Sequence, residues 1–366
     1  MTNKHILIFA PLKVFPVEMA NQQDIYFRIK IFLELGYKVT LIEYKENLEE
    51  TVVEDDVNVI KVAKTNNFKA DKDKIINLCK ELNPDIFWFE YLKSMKVARE
   101  ISSSFPKKKI YFRNHNLESA HYYEKALYSI FKDGNLKIIL IFFYTYFKIK
   151  KMEKEMAKIS DQIFFISKLD QNLFEKKYFS NKATYLPFYK KYDFVYRNKN
   201  DLNLNIFYFG SNFNNSVNLS GLLFIYNKLI PKLKKEKIKF HILGRNCPQH
   251  FKAENLSPTG FIDDIDTFLD KMDISIIPVK IGYGMKIKAY ESLKRGFPTI
   301  VSKRVHDVFG GEDNKHYLVA EKPEQWIKKI MLLKDNNFRK QLSLGASKFM
   351  KDNFNINVIK DALKDL

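Results

Sequence analysis

Residues 273–302 read DISIIPVKIGYGMKIKAYESLKRGFPTIVS, and three kinds of local order follow one another within them. Residues 274–279 are almost wholly apolar, the pattern of a strand covered on both faces in a parallel sheet. Gly282 and Gly284 come next and allow a tight turn and a close backbone approach to a ligand. Residues 285–294 then place Ile287, Tyr290 and Leu293 at helical spacing, and Gly296 and Pro298 stop the helix. A helix N-terminus carries unpaired N–H groups and a partial positive charge, and Lys286 and Lys288 are expected to add two full charges in its first turn. Glu291, three residues after Lys288, shares its helical face and can accept hydrogen bonds from hydroxyls. A diphosphate beside a ribose diol would satisfy both groups. Spacing alone equally allows glycines that serve only the turn and a solvated Lys/Glu surface pair.

Outward from this stretch, the second half of the chain alternates strand and helix. Residues 205–209 read as a strand ending in Gly210-Ser211-Asn212, 220–234 as a helix, and 239–243 as a strand ending in Gly244-Arg245-Asn246. Two strands that each end in glycine and a polar or basic residue are expected at a ligand-binding sheet edge. Arg245 is suited to bidentate phosphate binding, and an arginine at such a place is as often a surface residue. Residues 263–272 form a capped helix leading into the central stretch. Beyond it lie a short strand at 317–320 and helices at 324–333, 338–350 and 357–366.

The first half has the same rhythm. Strands are expected at residues 5–10, 38–43, 57–62, 85–89, 110–113, 162–166 and 184–186, with helices at 24–35, at 74–82 and through most of 118–159. The first loop, residues 11–23, is long and holds Glu18, Asn21 and Gln22, which makes it a candidate part of a site. The strand at 110–113 runs into Asn114-His115-Asn116, so His115 falls at a strand's C-terminal end, where ligands bind in open α/β sheets. A lone loop histidine is also often structural. Residues 190–203 are polar and aperiodic and mark the domain boundary.

With 366 residues, two domains are the default. The 62 basic residues outnumber the 43 acidic ones, a balance that invites a nucleic-acid or anionic-membrane partner. Lys, Asn, Phe, Tyr and Ile are abundant together, so part of the excess is compositional. Cys79 and Cys247 sit in no metal-ligand spacing and fit a reducing compartment. The apolar start is too short for a signal peptide, and a cytoplasmic protein is expected. The longest apolar run, residues 138–147 (IILIFFYTYF), is half of the ~20 residues a membrane-spanning helix needs. It reads as a core or interface helix first and a bilayer-surface helix second. Asp71/Asp73 and Asp264/Asp266 are charged helix starts rather than metal ligands, and no metal is expected.

Taken together, Arg113-Asn-His-Asn-Leu-Glu-Ser119, Phe209-Gly-Ser211 with Asn218 and Gly221, Leu243-Gly-Arg245, and Gly284-Met-Lys-Ile-Lys288 with Glu291, Gly296 and Pro298 resemble glycosyltransferase family 4 and its close relatives. The resemblance covers most of the chain. It implies an α/β chain of the GT-B fold: two doubly wound Rossmann-like domains facing each other across a cleft. Residues 1–188 would bind the acceptor and 189–366 the nucleotide sugar, the last helix packing back on the first domain. It implies a hexosyltransferase that moves a sugar from a nucleotide-sugar donor, without a metal, to a glycan or lipid-linked acceptor in bacterial surface polysaccharide biosynthesis. Glu291 matches the glutamate that binds the donor ribose. Lys286, Lys288 and Arg245 fall where the family neutralises the diphosphate, and Gly210, Ser211 and Gly284 face the donor. His115 matches a position near the reaction centre, with Glu18, Asn21, Arg113 and Asn116 on the acceptor side. The chain departs from the family in two places. Many members carry a second glutamate eight residues before the first, where this chain has Tyr283, and the first loop lacks the family's glycine pair. The basic surface suits an anionic membrane face, with no nucleic-acid partner expected. The rival readings are a nucleotide-sugar epimerase of the same fold and a basic nucleic-acid-binding protein.

Overall fold

The computed structural model describes residues 4–17, 20–45, 50–54, 57–63, 68–132, 135–191, 194–196, 203–364 and 366. The chain divides into two compact units, Met1–Lys190 with Ile356–Leu366, and Lys191–Asn355.

The first unit is built on β1 (His5–Ala10), α1 (Ala20–Glu34), β2 (Lys38–Lys45), β3 (Glu50–Glu54), β4 (Val57–Ala63), α2 (Phe68–Leu82) and β5 (Ile86–Glu90). It continues through α3 (Met95–Ser104), β6 (Lys109–Asn114), α4 (Glu118–Lys132), α5 (Leu136–Ile159), β7 (Gln162–Phe165), α6 (Lys168–Tyr178) and β8 (Ala183–Tyr185). The sheet order is β3-β4-β2-β1-β5-β6-β7-β8, with every neighbouring pair parallel except β3 on β4. β1 and β5 are buried along their whole length, because helices cover both faces of a parallel sheet. Side chains alternate between two cores. Phe9, Phe89 and Phe112 stack in a row on one face, with centroids 5.1 Å apart, and Trp88 stacks on Phe164 at 4.9 Å on the other.

The first helix starts earlier than periodicity indicated, so Asn21 and Gln22 lie within it rather than in a loop. What holds the shortened loop is Glu43, buried near the end of β2, whose Oε2 accepts from the N–H groups of Val14 (2.7 Å) and Phe15 (3.2 Å). Glu18 lies outside the described residues. The last helix, Ile356–Leu363, joins this unit: Ile359, Leu363 and Leu366 enter the core of Ile6 and Ile8, and Tyr37 Oη donates to the Leu366 carbonyl at 3.0 Å.

The second unit runs β9 (Leu204–Asn212), α7 (Ser216–Phe224), β10 (Ile238–Arg245), β11 (Leu256–Gly260), α8 (Ile265–Leu269), β12 (Ile274–Ile277), α9 (Ile287–Lys294), β13 (Thr299–Val301), α10 (Lys303–Phe309), β14 (Leu318–Val319), α11 (Pro323–Leu332) and α12 (Asn336–Asn353). All neighbours are parallel in the order β11-β10-β9-β12-β13-β14. β9 and β12 are adjacent, so the Gly210 loop and the glycine loop after β12 leave the same edge of the sheet side by side.

Candidate functional site

In the second unit, β9 and β10 approach each other closely at Gly210 and Gly244, just before they end at Asn212 and Arg245. A Cβ on Gly244, which has φ of +137°, would lie 1.5 Å from the Gly210 carbonyl oxygen, so no larger residue fits without moving a strand end. The polar residues beyond form one chain of hydrogen bonds. Asn246 Nδ2 donates to Asn212 Oδ1 (3.1 Å), Asn218 Nδ2 donates to the Asn212 carbonyl (2.8 Å), and Lys288 Nζ donates to Asn218 Oδ1 (2.7 Å). Lys288 therefore reaches from α9 to the N-terminus of α7, with Nζ 4.8 Å from the centre of the buried Tyr208 ring.

The loop before α9 takes positive φ at Gly282 (97°) and Gly284 (73°), and α9 is held on β12 by a Ser275 Oγ to Ser292 Oγ hydrogen bond of 2.8 Å. The helix begins at Ile287, two residues later than its apolar spacing indicates, which makes Lys286 its N-cap rather than part of its first turn. Lys286 Nζ donates to the Tyr283 carbonyl (2.9 Å). Nor are the two lysines both fully charged. Burial, with the like charge of Lys286 added, pushes Lys288 down to about 7. The neighbours of its Nζ are a phenol, an amide and another lysine, none of them acidic. Glu291 is half-buried on α9. Arg245 is exposed, its guanidinium 5.0 Å from the centre of the Phe261 ring. Tyr283 carries the Arg304 guanidinium 5.0 Å from its ring centre. Gly210, Ser211, Arg245, Gly284, Lys286 and Lys288 thus gather at the C-terminal edge of one sheet.

In the first unit, His115 follows β6 and stacks on Tyr91, with ring centres 4.1 Å apart. Its Nε2 lies 3.5 Å from Asp24 Oδ2 and 3.6 Å from Glu90 Oε2. Arg28 ties those carboxylates together, donating to Asp24 (2.9 Å) and to Glu90 (2.6 Å), and Trp88 Nε1 donates to Glu90 Oε1 at 2.8 Å. Arg113 Nη2 reaches Asp24 Oδ1 at 3.4 Å, and its Nη1 donates to the Leu186 carbonyl. Asp24, Arg28, Glu90 and Arg113 are all buried, so two guanidinium groups face two carboxylates out of water. Burial alone would raise both carboxyls. Arg28, Arg113 and His115 together outweigh it at Asp24, and Arg28 with His115 at Glu90, so both stay below the usual carboxylate range. Glu90 Oε2 and His115 Nε2 are enclosed, and neither makes a hydrogen bond of ordinary length among the described residues.

Of the residues expected on the acceptor side, Arg113 is fully enclosed and contacts Asp24, while Asn116 Nδ2 donates to Glu118 (3.1 Å). Asp24, Arg28, Trp88, Glu90 and Tyr91 are additions that the sequence reading missed. A signal was present in Glu90, a charge closing the apolar strand IFWFE, and in Asp24 and Arg28 at i, i+4 spacing. Among the described residues no group of three or more His, Cys, Asp or Glu side chains could hold a metal ion.

Residues 204–336 match the family model described as Glycosyl transferases group 1. No curated protein matches the chain in sequence. Similar solved structures include sucrose-phosphate synthase from Thermosynechococcus elongatus, with 12% identity over 99% of this chain and 98% of that one and a TM-score of 0.74. A TarM variant from S. aureus in complex with fondaparinux, alpha-GlcNAc-glycerol and UDP aligns with 9% identity over 99% of each chain and a TM-score of 0.70. The E. coli trehalose-6-phosphate structure bound with UDP-2-fluoro glucose aligns with 11% identity over 99% and 98% and a TM-score of 0.67. These likenesses show the fold, and the family match lies on the unit that carries the glycine, lysine and glutamate motif. The chain thus has the GT-B fold, and its residues 204–336 match the group 1 glycosyl transferase model.

Proposed function

We propose that the protein transfers a hexosyl group from a nucleoside-diphosphate sugar to a glycan or lipid-linked acceptor of a bacterial surface polysaccharide, working at the inner face of the cell membrane. The carrying observation is Lys288, a largely desolvated lysine at a sheet edge with no acidic neighbour at its Nζ among the described residues. An anion arriving there gains a full positive charge, and the lysine regains the partner its burial lacks.

When the bond from the sugar C1 to the donor phosphate oxygen breaks, the electron pair leaves on the diphosphate. Lys288, Lys286, Arg245 and the N–H groups at the start of α9 stabilise that charge. Glu291 takes the ribose hydroxyls. The acceptor oxygen bonds to C1 and gives up its proton to His115 or to a phosphate oxygen of the leaving diphosphate. Asp24 and Glu90 lie beside Nε2, so the His115 tautomer with its proton on that nitrogen would leave Nδ1 as the proton acceptor. The lysines supply the positive charge in this scheme, so turnover should survive EDTA.

UDP is the first donor base to test, because similar structures are bound with UDP and with UDP-2-fluoro glucose. UDP, GDP, CMP and their sugars are screened by thermal shift. One nucleotide should raise Tm, since a ligand that prefers the native state stabilises it, and Lys288→Ala and Glu291→Ala should each abolish the rise. No shift with any nucleotide refutes the donor assignment, and conversion of the bound nucleotide sugar with no acceptor present would favour an epimerase.

A further inference from the structure

We propose that the outward face of the α4–α5 hairpin docks the protein on an anionic lipid surface. This rests on the lipid-linked acceptor of the preceding reading, and it names the surface on which that acceptor would be met.

The apolar run expected in a core or interface is only half covered. The C-terminal half of α5 is fixed in the first unit: Met156 is fully buried, and buried Glu153 accepts from Ser119 N–H (2.9 Å) and Tyr178 Oη (2.6 Å). One side of its N-terminal half packs on α4 through Tyr122 with Phe142 and Tyr123 with Tyr146. The other side is open. Leu136, Leu140, Tyr144 and Phe147, at i, i+4, i+8 and i+11, are 68%, 59%, 71% and 63% exposed. They form one stripe about 16 Å long at the helical rise of ~1.5 Å per residue. Ile141, beside the stripe, is exposed as well.

Charge selects the occupant. The same helical face continues into exposed Lys148, Lys151, Lys154 and Lys158, and exposed Lys137 stands at its start. The two glutamates of α5 do not offset them, since Glu153 is buried and Glu155 is engaged by Arg99. A two-fold pairing of copies through this face would set one lysine row near another. An apolar stripe beside a lysine row is the pattern of a helix lying in a headgroup layer, its apolar side chains in the acyl boundary and its lysines on anionic headgroups. No helix among the described residues is long and apolar enough to cross a membrane.

The test is co-sedimentation of the full chain with vesicles of phosphatidylcholine alone or mixed with phosphatidylglycerol. Binding should require phosphatidylglycerol and weaken at high salt. It should fall about tenfold or more both in Leu140→Ser with Phe147→Ser and in Lys148→Gln with Lys151→Gln and Lys154→Gln. All five side chains are exposed, so the Tm of both variants should match the wild type. Equal binding to neutral vesicles, no binding, or a dimer that the Leu140→Ser and Phe147→Ser variant dissolves would each overturn the proposal. Nucleotide thermal shifts on the same samples separate the two readings: a retained shift without vesicle binding sinks only the docking face, and vesicle binding without any shift sinks only the donor assignment.

Discussion

Lys288 should make donor binding depend on pH in a direction fixed by its burial. With the lysine near 7 in the ligand-free protein, it is charged in about nine molecules of ten at pH 6 and in about one of ten at pH 8. The diphosphate of a nucleotide sugar is a diester whose charge is constant over that range, so the lysine alone sets the slope. If the bound state holds Lys288 charged, affinity should fall about tenfold per unit above pH 7, or ~1.4 kcal/mol per unit, and level off below it. Binding should also take up close to one proton at pH 8, read by titration calorimetry in buffers of different ionisation enthalpy. The side chain keeps some access to solvent, which moderates the shift, so the slope is more diagnostic than the midpoint. Lys288→Met should bind weakly at every pH and show no slope. Equal affinity at pH 6.5 and 8.5 in the wild type, or an unchanged slope in Lys288→Met, would refute the reasoning.

Stability carries the same signature in the ligand-free protein. A lysine held down to about 7 leaves the unfolded chain with more bound protons between pH 7 and ~10.4, so stability should rise with pH across that window, and Lys288→Met should flatten the rise in urea titrations. Asp24 and Glu90 act in the opposite range. Their depressed carboxyls stabilise the fold above the ordinary carboxylate range, and that contribution should be lost as pH falls through it, less steeply in Glu90→Gln. Arg28→Met strands two buried carboxylates and should cost about 3–5 kcal/mol in urea unfolding; a loss under 1 kcal/mol would mean that water already reaches the pair. Gly244→Ala drives a methyl into the Gly210 carbonyl and should cost more than ~4 kcal/mol or remove the fold, as read by circular dichroism.

Most of the framework could be read from residue patterns. β1, β5 and β12 appeared as short apolar runs because both faces of each sheet are covered, and the glycine loop before α9 appeared because positive φ at Gly282 and Gly284 needs glycine. What stayed hidden depends on pairing across the sequence. The loop before α1 is held by Glu43 from β2, and the carboxylates beside His115 come from α1 and β5, 91 and 25 residues away by number. Spacing shows no such meeting. Lys288 was visible as a charge, but its burial against Tyr208 and Asn218, which decides how much of that charge exists, belongs to the packed unit. Likewise residues 138–147 were legible as an apolar helix, and only the fold shows which side stays open.

The most direct test of the central claim is calorimetric titration of UDP-sugars into the wild type, Lys288→Ala and Glu291→Ala at pH 6.5. Saturable binding in the wild type, lost or weakened at least tenfold in both variants while their Tm values hold, is the predicted result. Binding that both variants retain would place the donor elsewhere and contradict the account.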